Sequence, residues 1–169
     1  MIIYTDGACS GNGSAAARGG YAVVVLNDNE EYVRSYSQHS ESTTNNREEL
    51  KAILYTLLTY GKENPIVYSD SAYAVNTFTN WMWSWSKRGW LKSDNKEPEN
   101  MDIIYPFFEY WNKGYRIDLR KCSGHSGNHW NEVADKLAVA AKDLQSSVSF
   151  HYPNSKTARV ISIIIGRND

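Results

Sequence analysis

Apolar and polar residues alternate over residues 2 to 6, placing Ile2, Tyr4 and Asp6 on one side of an extended chain and Ile3 and Thr5 on the other. A strand is predicted there, with Gly7 opening a turn-rich loop that lasts to Gly20. Tyr21 to Leu26 (YAVVVL) is an unbroken apolar run, Asn27-Asp28-Asn29 is turn chemistry, and Glu31 to Gln38 alternates again. Three antiparallel strands in a meander are the simplest reading. The period then changes from 2 to 3.6: Leu50, Ile53, Leu54, Leu57 and Leu58 form one helical stripe. Thr44-Asn45-Asn46 marks its start, with Glu48 three residues after Asn45 in the manner of a capping box, and Gly61 ends it.

Ile66 to Asp70 (IVYSD) reads as a short strand, followed by a helix that runs into the aromatic tract NWMWSWSKRGW and a polar loop through Pro98. Met101 to Asn112 reads as a helix, Tyr115 to Lys121 as a strand, and Asn128 to Leu144 as a helix rich in Ala and Leu. The order βββαβααβα mixes hairpins with parallel crossovers, which requires an α/β fold with a mixed sheet flanked by helices. Residues 1–144 form one domain on this reading. In the extension 145–169, Ser146, Ser147 and Ser149 read as a linker and Val160 to Ile165 (VISIII) as a strand-like segment. Six nearly apolar residues in a row are expected to dock, at a sheet edge or against a partner.

Composition narrows this only a little. The 169 residues, 41% hydrophobic and 22% charged, are ordinary for one globular domain. A net charge of −1 gives no bulk attraction for a polyanion, so any nucleic-acid contact must be local. Cys9 and Cys122 have no metal-ligand spacing and are too few for a disulfide scaffold, so reduced thiols in the cytoplasm, or the nucleus of a eukaryote, are expected. No stretch approaches the roughly 18 apolar residues of a membrane span, and no leader is evident. A monomer without membrane contact follows as the expectation.

The candidate chemistry lies in acids. Asp6 and Asp70 end two strands of the same pattern, Ile-x-Tyr-x-Asp, and if those strands are parallel neighbours the acids sit side by side. Each could equally be a turn or capping residue. In the helix after Thr44, Glu49 lies roughly 110° from the centre of the leucine stripe and Glu48 roughly 150°, so Glu49 borders the buried face and Glu48 points to water. A solvated first-turn acid is the plainer account of Glu49. Asp135 falls opposite the stripe Val133, Leu137, Ala140, Leu144, where periodicity makes it a surface acid.

The blocks YTDGACSGNG, TTNNREEL, YSDSAY, WSWSKRGW and GHSGNHWNEVADKLA, in this order and at suitable intervals over residues 1 to about 144, closely resemble the signature blocks of type 1 ribonuclease H. The resemblance implies a ribonuclease H-like fold whose five-stranded mixed sheet has its first three strands antiparallel. It implies hydrolysis of the RNA strand of RNA/DNA hybrids, with Asp6, Glu49, Asp70 and Asp135 as a metal-binding quartet and His125 on a loop beside it. Crowded carboxylates raise one another's pKa and call for a cation. Mg²⁺ suits an all-oxygen set, Mn²⁺ can substitute, and two ions about 4 Å apart would leave a 5′-phosphate and a 3′-hydroxyl. The same resemblance assigns the minor groove to Asn12, Asn45 and Asn46, a DNA phosphate to Thr44, and a basic protrusion gripping DNA to Trp81, Trp85, Lys87, Arg88 and Trp90.

Plainer readings stand beside these roles. His125 could be a surface loop histidine, Asn12 a left-handed loop residue, Asn45 a helix cap, and Trp81 and Trp85 part of a buried stripe. Three departures from the family pattern matter. Residues 81–99 carry four basic and three acidic residues (Asp94, Glu97, Glu99), a net of +1, which predicts weak substrate grip. Ala72 stands where many members have Gln, and the loop GNGSAAARGG is a few residues longer than in compact members. A catalytically silent nucleic-acid-binding module, or the ribonuclease H portion of a reverse transcriptase, are the competing functions; the intact quartet argues against the first.

Overall fold

The computed structural model describes residues 1–124, 128–145 and 147–151. Its centre is a six-stranded mixed sheet in the order β5-β4-β1-β2-β3-β6. The strands are β1 (Ile2–Ser10), β2 (Arg18–Leu26), β3 (Tyr32–Glu41), β4 (Ile66–Ser69), β5 (Asp118–Lys121) and β6 (Val148–His151). β1, β2 and β3 form the expected antiparallel meander, while β4 and β5 add to β1 in parallel. Among the described residues five α-helices surround it: α1 (Asn45–Tyr60), α2 (Ala72–Asn76), α3 (Met82–Lys87), α4 (Met101–Asn112) and α5 (His129–Leu144). A π-helical turn over Thr77–Trp81 joins α2 to α3, so the single helix expected after Asp70 is wound in three pieces.

The unbroken apolar run of β2 is explained by burial on both faces. Val23 and Val25 meet α1, α2 and α4 residues such as Leu50, Ile53, Ala74 and Phe107. Ala22, Val24 and Leu26 meet Val133, Leu137 and Ala138 of α5. A strand sandwiched in this way cannot alternate, and each fully buried aliphatic side chain contributes about 1.5–3 kcal/mol. α5 closes down on the sheet at Gly20, where a Cβ would lie 2.4 Å from the Ala138 carbonyl oxygen.

Several boundaries differ from the sequence expectation. β1 does not stop at Gly7 but pairs on to Ser10, with Gly7 opposite Tyr21. Gly7 is there to admit α1, because a Cβ would sit 2.6 Å from the Glu49 backbone nitrogen. The α1 cap is Thr44, whose side chain accepts from the Arg47 amide at 3.1 Å, so Asn45 is the first helical residue and no capping box forms. Glu48 does not point to water; it is fully buried, accepting from the Thr43 hydroxyl at 2.9 Å with Lys51 Nζ 3.0 Å away. The buried face of α1 takes in Ala52 and Thr56, whereas Leu58 is 40% exposed, so this face is rotated away from the leucine stripe. β5 starts at Asp118, not at Tyr115.

The serine linker is also corrected in part. Ser149 lies within β6, which pairs antiparallel with β3 from Ser37↔Val148 to Arg34↔His151. Val160 to Ile165 lies outside the described residues. No helix among the described residues is long and apolar enough to cross a membrane.

Candidate active site

The repeated Ile-x-Tyr-x-Asp pattern is in register across the parallel pair β1 and β4: Ile2 faces Ile66, Tyr4 faces Tyr68 and Thr5 faces Ser69. The two tyrosine rings stack with centroids 5.0 Å apart. The next residue of β1 is Asp6 and the residue that follows β4 is Asp70, so the two acids are presented side by side. Asp6 is 3% exposed and its Oδ1 accepts from the Gly7 amide at 2.9 Å. After Asp70 the chain leaves the sheet sharply, since Ser71 donates its amide to Ser69 Oγ and caps α2 with its own side chain. Glu49, 9% exposed, reaches the same point from the first turns of α1, seated against Gly7. One carboxylate oxygen from each of Asp6, Glu49 and Asp70 lies within 4.8 Å of the other two.

Such crowding has an electrostatic cost. Burial, opposed by hydrogen bonds from Glu49 and Gly7 and reinforced by the charges of Asp70 and Asp135, pushes Asp6 up to about 8. Burial and the adjacent Asp6 hold Glu49 well above the usual carboxylate range. Glu49 Oε2 is buried without a hydrogen-bond partner. Three hard oxygen donors, one of them unpartnered and two disfavouring their own ionisation, form a fit receptor for a divalent cation. Asp135 is exposed on α5 and stands outside this group of three, although its charge is felt at Asp6. His125 lies outside the described residues. Its neighbour Gly124 passes against Asp70, where a Cβ would lie 3.0 Å from Oδ2.

Sequence reasoning missed Asn131. Only 2% exposed, it donates Nδ2 to Asp70 Oδ2 at 3.3 Å and accepts from Cys122 Sγ at 3.6 Å. The signal was available: Asn131, Ala134, Ala138 and Ala141 share one face of α5, and a polar residue on a buried apolar face needs a partner. The Cys122 thiol is pushed up to about 11 by burial and by Asp70 and Asp6.

The other expected substrate residues divide into two groups. Asn12, Thr44, Asn45 and Asn46 line one polar depression of about 330 Å³, together with Glu99 and Asn100. Asn12 is not left-handed; the positive φ angles belong to Gly11 and Gly13 on either side, and Asn12 Oδ1 accepts from the Asn45 amide at 2.8 Å. Trp81, Trp85 and Trp90 do not line this depression. Trp81 is 37% exposed beside Tyr73 and Trp85, whereas Trp85 and Trp90 pack on the core, Trp90 edge-on to Tyr105 and Phe108. Lys87 and Arg88 are exposed at the end of this aromatic stack.

An α/β sheet that gathers buried and half-buried acids from three separate elements around a cation-sized space is built as a metal-dependent nuclease is built. The chain belongs to the RNase H family, whose model matches residues 1–143. Ribonuclease H of Thermoanaerobacter pseudethanolicus is 40% identical over 139 residues, covering 81% of this chain and 86% of the relative. LC9-RNase H1, described as a type 1 RNase H with the type 2 active-site motif, superimposes with a TM-score of 0.73 at 25% identity over 95% of this chain and 83% of its own. LC11-RNase H1, solved in complex with an RNA/DNA hybrid, shares the fold with a TM-score of 0.61 at 23% identity, over 85% of this chain and 97% of its own. The protein is thus a ribonuclease H enzyme with the divalent-metal chemistry of that family.

Proposed function

We propose that this enzyme hydrolyses the RNA strand of RNA/DNA hybrids with two Mg²⁺ ions, Mn²⁺ being able to replace them, and leaves 5′-phosphate and 3′-hydroxyl ends. The observation that carries this reading is the trio of carboxylate oxygens from Asp6, Glu49 and Asp70 within 4.8 Å of one another. Asp135, whose charge reaches Asp6, completes the set that would hold the ions. When bound, they supply an activated water and neutralise charge on the scissile phosphate and the leaving 3′ oxygen.

The protein's own part is orientation. Asn131 holds the Asp70 carboxylate, against which Gly124 packs closely, and the Gly7 amide holds Asp6. His125, beside Gly124 in the chain, is assigned proton handling or product escape. Asn12, Asn45 and Asn46 meet the minor groove, where amides that donate and accept can read 2′-hydroxyls. LC11-RNase H1 in its hybrid complex supports the substrate class. Exposed Trp81, Lys87 and Arg88 extend the contact along the DNA strand, with Thr44 at a phosphate; Trp85 and Trp90 serve as the packed base of that protrusion. Removal of RNA primers and R-loops, or phage or mobile-element replication, is the role proposed, for a monomer in the cytoplasm or nucleus with a docking role for the C-terminal extension 145–169.

The test is cleavage of labelled hybrid beside single-stranded RNA, duplex RNA and duplex DNA, with and without Mg²⁺. Magnesium-dependent cutting confined to the hybrid is expected. Equal cutting of duplex RNA, or cutting without metal, would refute the reading.

A further inference from the structure

Asn131 holds the Asp70 carboxylate with one end of its amide, and an amide can do this in only one of two orientations. Nδ2 faces Asp70 Oδ2 at 3.3 Å, a donor against an acceptor. Turned by half a rotation, the same side chain would set its carbonyl oxygen against the carboxylate, acceptor against acceptor. Asn131 is only 2% exposed, so bulk water does little to decide between the two. The choice falls to the group that meets the other end of the amide. Among the described residues that group is Cys122, whose Sγ lies 3.6 Å from Asn131 Oδ1.

Both members of this pair are held by backbone. Asn131 sits in the first turn of α5, where its own backbone N–H donates to Asn128 Oδ1 at 3.2 Å. Cys122 follows the last residue of β5 and donates its backbone N–H to the Ser69 carbonyl at 2.9 Å, one residue before Asp70. Thiol, amide and carboxylate thus form a chain with a single direction, S–H to C=O and then N–H to carboxylate. A thiol keeps its proton at neutral pH even before burial and the nearby acids push Cys122 up to about 11, so it meets Oδ1 as a donor. The S–H bond is weak in itself. Its removal nonetheless leaves a buried carbonyl without a donor, and that loss exceeds the worth of the bond. We propose that Cys122 is a positioning residue for the metal centre: its thiol fixes the orientation of the Asn131 amide, which in turn presents Asp70 to a divalent ion. The inference rests on the reading of Asp6, Glu49 and Asp70 as ion ligands and adds the group that stands behind Asn131.

Mg²⁺ binding to the full chain is followed by titration calorimetry, and the Asn131 side-chain amide protons are followed by NMR in the metal-free protein. Cys122→Ala is expected to weaken Mg²⁺ binding about three- to tenfold and to speed exchange of those amide protons with water. Cys122→Ser opens nearly the same space but keeps a donor, so it binds Mg²⁺ more tightly than Cys122→Ala. In an Asn131→Ala background the Cys122→Ala step costs nothing further, because the thiol acts through that amide. Equal affinities for wild type and Cys122→Ala, equal affinities for the Ser and Ala variants, or the same loss with and without Asn131 would each overturn the proposal. A wild-type chain that binds no Mg²⁺ would remove the reading of the site itself, whereas Mg²⁺ binding indifferent to Cys122 removes only the role of the thiol.

Discussion

The acid centre and the polar depression both draw on the N-terminal part of α1, yet they are built on opposite terms. Asp6 and Glu49 are buried, meet through close approach of helix and strand at Gly7, and disfavour their own ionisation. Asn12, Asn45 and Asn46 are exposed and carry no such strain. Charge is concentrated at the acid centre at a cost in stability, whereas the depression keeps hydrated amides on a rigid frame.

The sharpest break of this contrast is Asp70→Asn. Cleavage should fall by about three orders of magnitude or more, while the metal-free protein melts several degrees higher because one repelling charge is gone. Rate and melting curve together decide it; full activity would remove Asp70 from the centre.

Next comes Asn131→Ala, which frees the Asp70 carboxylate without removing it. Divalent-ion affinity, followed by titration calorimetry, should drop about 10–100-fold, with a smaller loss of cleavage at saturating metal. An unchanged affinity would show that Asp70 is positioned without Asn131.

The third concerns pH. Asp6 rises from 3.8 to about 8 on folding, so its neutral form is the one favoured by the fold. Stability from this group is present below about pH 4 and is lost as pH rises towards about 8. Metal-free protein should therefore melt progressively lower across that window, and Asp6→Asn should flatten the slope. Added Mg²⁺ should do the same, since the cation replaces the proton.

The smallest effect belongs to the exposed side. Glu97→Lys should lower KM about threefold at low salt, with little change in kcat and less gain at high salt. No shift would mean that this loop stays clear of substrate.

The strand acids were legible because a repeated pattern, Ile-x-Tyr-x-Asp, becomes a repeated position once β1 and β4 lie parallel and in register. Glu49 was legible for a weaker reason. The leucine stripe misplaces the buried face of α1, which turns towards Ala52 and Thr56, small residues that carry little weight in a hydrophobic pattern. That rotation also buries Glu48. A Cβ on Gly19 would lie 2.9 Å from Glu48 Cγ, so the space for Glu48 is made by a residue of β2. Asn131 and Arg47 work through partners 61 and 55 residues away, respectively, and spacing along one helix cannot show such partners. The asparagines came from matching blocks of residues, which showed that they belong together but not that Glu99 stands among them.

One consequence of β6 concerns the behaviour of the protein at high concentration. A sheet of this kind has two borders where unused backbone amides could recruit another molecule. One border, β5, is short and carries Asp118, Arg120 and Lys121, charges that discourage stacking. The other would be the ten-residue β3, but β6 already occupies Arg34 to Ser37 from within the same chain. A chain ending at Leu144 would expose that stretch and should form dimers or aggregates as concentration rises. With β6 in place the border is a four-residue strand in place of a ten-residue one, and short edges recruit other chains less readily.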